Sequence, residues 1–279
     1  MEADVTLLTE RSARIREARK LTRRQGRGKA GLFLAEGPQA VLEALAEQAG
    51  RRPDLVQELI VSPSAAVRFV ELVDDAIEAG ITVHHADDEA LAGLSETVTP
   101  QGIVAVCRTL TVPLDQAIAP DARLVALLAE VRDPGNAGTV IRCADAAGVD
   151  GVVLTHGSVD PHGGKAVRAS AGSVFHVPIT ADVEAADAIK LVRGRGLAVL
   201  AADGAGEVDL DEATSSGLLA RPTAWLFGNE AWGLPDEVRQ LADEVIRVPI
   251  YGRAESLNLA TAAAICLYAS ARAQRLPPT

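Results

Sequence analysis

Cysteine, aromatic residues and long apolar runs are all scarce in this chain. The three cysteines, Cys107, Cys143 and Cys266, are widely separated and form no C-x-x-C pair. That spacing argues against a disulfide framework or a thiolate zinc site and fits a reducing, cytoplasmic setting. The five histidines, His84, His85, His156, His162 and His176, show no helical i, i+4 pairing beside a carboxylate, so no metal is expected. No apolar stretch approaches the roughly 20 residues that span a bilayer, and the first thirty residues are too charged for a signal peptide's apolar core. No G-x-S-x-G elbow, Walker sequence or phosphate-loop lysine occurs. With aromatics at 3%, the core must be filled by Ala, Val, Leu and Ile, which favours close helix packing.

What is present is enough apolar material, 48% of 279 residues, for two packed domains. The formal net charge of −11 speaks against nucleic acid only until its distribution is considered. Nine basic residues (Arg11, Arg14, Arg16, Arg19, Lys20, Arg23, Arg24, Arg27 and Lys29) lie between positions 11 and 29 against one acid, Glu17. The segment is +8 and the rest therefore −19. Such a basic arm is either a solvated helix face or a footprint that releases counterions from RNA phosphates. Arg14, Arg16, Arg19, Lys20, Arg23, Arg24, Arg27 and Lys29 are the candidate RNA contacts.

Hydrophobic periodicity predicts a helix over 10–24, a strand within 31–37, a helix over 38–48, strands at 59–61, 81–84 and 102–110, and a helix over 65–79. This α/β module would occupy residues 1–110. Residues 111–121, with two prolines and little periodicity, read as a linker. Residues 122–279 then alternate strands (124–129, 151–154, 174–179, 197–202, 224–227, 245–248) with helices (137–147, 164–171, 183–193, 257–272). Apolar strands separated by helices of that length imply a parallel sheet covered on both faces, with its ligand at the carboxyl ends of the strands.

Three polar clusters sit at such strand ends: Asn136-Ala-Gly-Thr-Val-Ile-Arg142, Phe227-Gly-Asn-Glu230-Ala-Trp-Gly233, and Pro249-Ile-Tyr-Gly252-Arg-Ala-Glu-Ser256-Leu-Asn258. Each admits a plain structural role. Asn136 could be a helix N-cap, Arg142 could pair with Asp145 at i+3, Glu230 could favour the start of the helix after Pro235, and Ser256 could cap the last helix. Alternatively, Arg142 could hold an RNA phosphate bidentately. Three such loops after strands of one sheet fit a shared pocket better than separate caps. Asp203-Gly-Ala-Gly206 also follows a strand, but it lacks the third glycine of a dinucleotide fingerprint.

In order and separation, the clusters resemble the three motifs of the SpoU branch of the SPOUT RNA methyltransferases: N-x-G-x-x-x-R, G-x-E-x-x-G and P-x-x-G-x-x-x-S-L-N. Asn136, Gly138 and Arg142 match the first, Gly228, Glu230 and Gly233 the second, and Pro249, Gly252, Ser256, Leu257 and Asn258 the third. The basic helix followed by Gly31-Leu-Phe-Leu-Ala-Glu-Gly-Pro38 is similar to the family's ribosomal-protein-like substrate-binding domain. This layout is shared with ribosomal RNA methyltransferases, antibiotic-resistance types among them.

The resemblance implies a knotted α/β domain, one of the rare exceptions to unknotted topology, following a smaller α/β RNA-binding domain. It implies S-adenosylmethionine bound around Gly228, Val248, Ile250, Ser256, Leu257 and Asn258, and a homodimer with the last helix at its contact. The catalytic set would be Asn136, Arg142, Glu230, Ser256 and Asn258, serving attack by a ribose 2′-hydroxyl on a sulfonium methyl. A guanidinium is a poor base, so orientation with phosphate-assisted proton loss is the preferred role for Arg142. Ribosomal RNA is the expected substrate. Transfer RNA, a catalytically silent RNA-binding protein of the same fold, and more remotely a nicotinamide enzyme are the alternatives.

Overall fold

The computed structural model describes residues 7–229 and 231–275. The chain packs as two units, one running to Thr109 and taking in Asp160–Phe175, the other formed by Leu110–Val159 and everything from His176 onward.

The first unit is built on strands β1 (Leu32–Glu36), β2 (Val56–Val61), β3 (Thr82–His85) and β4 (Ile103–Arg108), in the order β1-β4-β2-β3. Both β1 and β2 run antiparallel to β4, while β3 is parallel to β2. The apolar run Ile-Val-Ala-Val-Cys of β4 is buried throughout, as a central strand covered on both faces requires.

Two helices expected to be continuous are broken. The basic helix over 10–24 is instead Ala13–Lys20 followed by Arg24–Ala30. At the break, the Arg27 guanidinium donates to the carbonyls of Leu21 and Thr22, both at 3.0 Å, satisfying groups that a helix end leaves orphaned. Gly26 permits the fold-back, since a Cβ there would lie 1.9 Å from the Lys20 carbonyl oxygen. The helix expected over 65–79 is divided into Pro63–Arg68 and Val70–Glu78, with Phe69 out of helical geometry between them.

Asp160–Phe175 joins this unit through an ion pair and aromatic packing. Arg27 Nε lies 2.7 Å from the Asp160 carboxylate, and the Phe33 ring centroid is 4.7 Å from that of His162. The strand expected over 174–179 is not formed as such. Ser173–Phe175 is a buried 3₁₀ turn, and the strand begins only after Pro178, which has no N–H to give to a ladder.

The second unit carries a fully parallel sheet of β5 (Leu124–Leu128), β6 (Gly151–Thr155), β7 (Ile179–Val183), β8 (Ala198–Ala202), β9 (Val208–Asp209), β10 (Thr223–Phe227) and β11 (Glu244–Arg247). Its order is β7-β6-β5-β10-β8-β11-β9. The central strands β5, β6 and β10 are buried at every position. The segment 111–121 holds a helical turn, Leu114–Ala117, and Val112 donates its N–H to Ile179, so it adheres to this unit.

Gly206 has a packing reason. A Cβ there would stand 2.6 Å from the Val245 carbonyl oxygen, so glycine allows β11 to approach the loop after β8.

Candidate active site

The site grows from the adjacent strands β5 and β10. Ala129 donates its N–H to the Phe227 carbonyl at 2.8 Å, extending the pairing beyond the strand ends. The chain then turns at Glu130, a non-glycine residue at φ 52°, a costly conformation of the kind that clusters at functional loops. Glu130 is held there from both sides: its N–H reaches Thr155 Oγ1 at 3.1 Å, and its carbonyl accepts from Asn229 Nδ2 at 2.7 Å.

Asp133, rather than Asn136, caps the helix Pro134–Ala147, its carboxylate accepting from the Asn136 N–H at 2.8 Å. The N-cap role open to Asn136 is therefore filled. Its side-chain oxygen instead accepts from Asn258 Nδ2 at 3.0 Å. Asn258 is also the residue that caps the last helix, Leu259–Arg275, with Oδ1 accepting from the Ala260 N–H at 2.9 Å. Ser256, proposed for that capping role, lies two residues upstream.

Arg142 stands on the exposed side of its helix and makes no hydrogen bond or ion pair among the described residues. Its alternative partner, Asp145, is taken by His176 Nδ1 at 2.8 Å.

After β10, the Asn229 and Gly233 backbones exchange hydrogen bonds at 2.8 and 2.9 Å, closing a tight loop. Gly228 cannot be replaced without displacing this loop, because a Cβ would fall 2.3 Å from the Gly233 carbonyl carbon. Glu230 lies outside the described residues.

A cavity of about 520 Å³ opens here. Gly228, Val248, Ile250, Ser256, Leu257 and Asn258, the six residues expected at a cofactor, all line it. Asn136 and Arg142 do not line it; Asn136 reaches its wall through Asn258. Ala202, Asp203, Gly204 and Asn229 line it as well. The sequence signal for Asp203 and Gly204 is the glycine-bearing turn after β8, which resembles a partial dinucleotide fingerprint but here lines the cavity. The apolar side chains of Ile246, Val248 and Leu257 suit an adenine ring, the glycine turns bring backbone groups close, and the Asp203 and Glu255 carboxylates at the same cavity complement a cationic sulfonium. These residues fit S-adenosylmethionine.

The basic arm divides by environment. Arg16, Arg23, Arg24 and Lys29 are exposed. Arg14 pairs with buried Glu58, Arg19 Nε donates to the Gly93 carbonyl at 3.3 Å, and Lys20 pairs with Glu17 at 2.6 Å. Arg27 must be removed from the RNA-contact set: it is 6% exposed and its guanidinium is spent on Asp160 and two carbonyls. Burial alone would raise the Asp160 pKa, but hydrogen bonds from His162 and the Arg27 charge hold it far below the usual carboxylate range.

Two of the three thiols are buried. Burial pushes Cys266 up to about 12 and Cys107 higher still. Among the described residues no group of three His, Cys, Asp or Glu side chains could hold a metal ion, and no helix is long and apolar enough to cross a membrane.

A parallel α/β sheet with an apolar, glycine-rimmed cavity at its strand ends belongs to the class of proteins that bind nucleotide-like cofactors there. Comparison with known proteins narrows the class. The SpoU rRNA Methylase family matches residues 123–268, and the RNA 2'-O ribose methyltransferase substrate binding family matches residues 34–113. The 23S rRNA (guanosine(2553)-2'-O)-methyltransferase RlmP of Bacillus subtilis is 34% identical, over 92% of this chain and 96% of that protein. The AdoMet-bound rRNA methyltransferase from Sinorhizobium meliloti superposes with a TM-score of 0.81 at 32% identity, covering 99% of this chain and 100% of that one. The SpoU methyltransferase AviRb from Streptomyces viridochromogenes, in complex with the cofactor AdoMet, gives 0.78 at 27% identity, covering 94% and 98%. The chain belongs to the SpoU rRNA methylase family. It is an S-adenosylmethionine-dependent RNA 2′-O-ribose methyltransferase.

Proposed function

We propose that this protein methylates a ribose 2′-hydroxyl of 23S ribosomal RNA, with Asn136, Arg142, Glu230, Ser256 and Asn258 as its reaction centre. The observation that carries this reading is the Asn258–Asn136 hydrogen bond, which ties a residue of the cofactor cavity to the helix bearing Arg142. The substrate is taken from the names of relatives such as RlmP.

S-adenosylmethionine, when bound, supplies a methyl group made electrophilic by its sulfonium. The chain's own work is alignment. Val248, Ile250 and Leu257 give the cavity an apolar wall, while the Asn136–Asn258 hydrogen bond ties its edge to the helix that carries Arg142. Arg142, exposed and unpaired by any described residue, orients the target nucleotide by donating to its phosphate and 2′-oxygen. A guanidinium keeps its proton at working pH, so the hydroxyl proton leaves through the adjacent phosphate or water.

This reading also takes residues 1–110 as the substrate-binding domain, 111–121 as linker and 122–279 as the catalytic domain. It includes the trefoil knot of the family, a cytoplasmic location and a homodimer. Exposed Ile265 and Tyr268 on the last helix support the dimer. Primer-extension mapping of 2′-O-methyl stops on ribosomal RNA, with and without the protein, is the test. A stop that depends on protein and cofactor is expected; an unchanged map contradicts the assignment.

A further inference from the structure

The chain has two tryptophans in opposite environments. Trp225 is fully buried and donates to Ser270 Oγ at 2.8 Å, whereas Trp232 is 55% exposed. The Arg132 guanidinium carbon lies 4.8 Å from the centre of the Trp232 ring. Arg132 is itself 58% exposed and is steadied from the side by Glu130 Oε2 at 3.2 Å.

The two residues rise from loops that are locked together. Asn229 bonds the Glu130 carbonyl through its side chain, and its backbone closes the loop onto Gly233. Trp232 sits between Ala231 and Gly233, both of which line the cofactor cavity. An indole and a guanidinium, each more than half in solvent, bury too little surface for core packing to account for them. Planar, cationic and at the rim of a cofactor cavity, they match the groups on which unpaired nucleobases stack.

We propose that Arg132 and Trp232 form a stacking platform for an unpaired nucleobase of the RNA substrate, at or next to the nucleotide being methylated. The proposal takes the identity of its ligand from the methyltransferase reading. It adds a binding site for a base to a site so far described only for cofactor and ribose. The pair's place beside Ala231 and Gly233 on the rim of the cofactor cavity, where the nucleotide to be methylated must enter, favours RNA over a second copy of this chain as the occupant.

Because Trp225 is sealed from solvent, acrylamide-quenchable emission reports Trp232. Titration of the full-length protein with a single-stranded hexa-adenylate should quench that emission saturably, and an abasic ribose-phosphate oligomer of equal length should not. In methylation of ribosomal RNA, Trp232→Ala should raise the RNA KM about tenfold or more, the loss expected for one stacked base. It should leave S-adenosylmethionine affinity unchanged, and Trp232→Phe should restore most of the loss.

Equal quenching by the abasic oligomer, or an unchanged KM in Trp232→Ala, overturns the platform while leaving the methyltransferase assignment intact. So does Trp232 emission that follows protein concentration and ignores RNA, which would give the ring to a second copy. Absence of methyl transfer by the unmodified protein would instead strike the assignment itself.

Discussion

Asn258 donates a hydrogen bond at 3.0 Å to Asn136, 122 positions earlier in the chain, and the same Asn258 side chain caps the last helix. One side chain therefore joins the cavity wall to the helix that carries Arg142. Removing either amide should impair methyl transfer, but only Asn258→Ala should also lose a cap, costing about 1 kcal/mol of stability. Denaturant unfolding of both variants beside their methylation rates separates the two roles. A double-mutant cycle should show the activities to be coupled rather than additive.

Arg142→Ala should lower methyl transfer by about a hundredfold or more, the scale for losing a group that acts in the transition state. Cofactor affinity measured by calorimetry should stay close to the parental value, since Arg142 does not line the cavity. Arg142→Lys should recover little, because a point charge does not reproduce the planar fork.

Gly228→Ala should abolish cofactor binding. The added methyl would lie 2.3 to 2.5 Å from three backbone atoms of Gly233 and Leu234, so the loop must move. Calorimetric titration with S-adenosylmethionine measures the loss, and an unchanged affinity would remove this loop from the cofactor site.

The Arg27–Asp160 pair predicts an acid-sensitive first unit. The folded Asp160 carboxyl titrates below its unfolded value, so its stabilisation is complete above the ordinary carboxylate range and is lost as pH falls toward the folded value. Asp160→Asn strands a buried guanidinium and should cost about 3 kcal/mol near neutral pH. The deficit should shrink toward acid pH, which thermal unfolding across a pH series will show.

Replacing Arg16, Arg23 and Lys29 together with Gln should weaken RNA binding and reduce the salt slope by up to about 0.7 per lost phosphate contact. An unchanged slope would make the exposed arm a solvated face.

Much of this site was legible in the sequence because its parts are local. A strand end followed by Gly228, or Ser256-Leu257-Asn258 before a long apolar helix, is a short-range pattern, and those residues do line one cavity. The sheet of the second unit was legible for the same reason, its buried strands being uninterrupted apolar runs. Long-range partnerships were not. Whether Asn136 caps its own helix or meets Asn258 depends on Asp133 filling the cap first. Arg27 read as one more cation of a basic arm, because its counterion Asp160 lies 133 positions away. The placement of Asp160–Phe175 with the first unit likewise depends on Phe33 and Arg27, which no local period announces.

The central claim is that separate loops build one cavity from which a methyl group passes to a ribose 2′-oxygen. Its most direct measurement is nuclease digestion of ribosomal RNA incubated with the protein and methyl-tritiated S-adenosylmethionine, followed by chromatography of the nucleosides. The label should appear in a single 2′-O-methylnucleoside. Label on a base, or none above the Arg142→Ala control, would contradict the account.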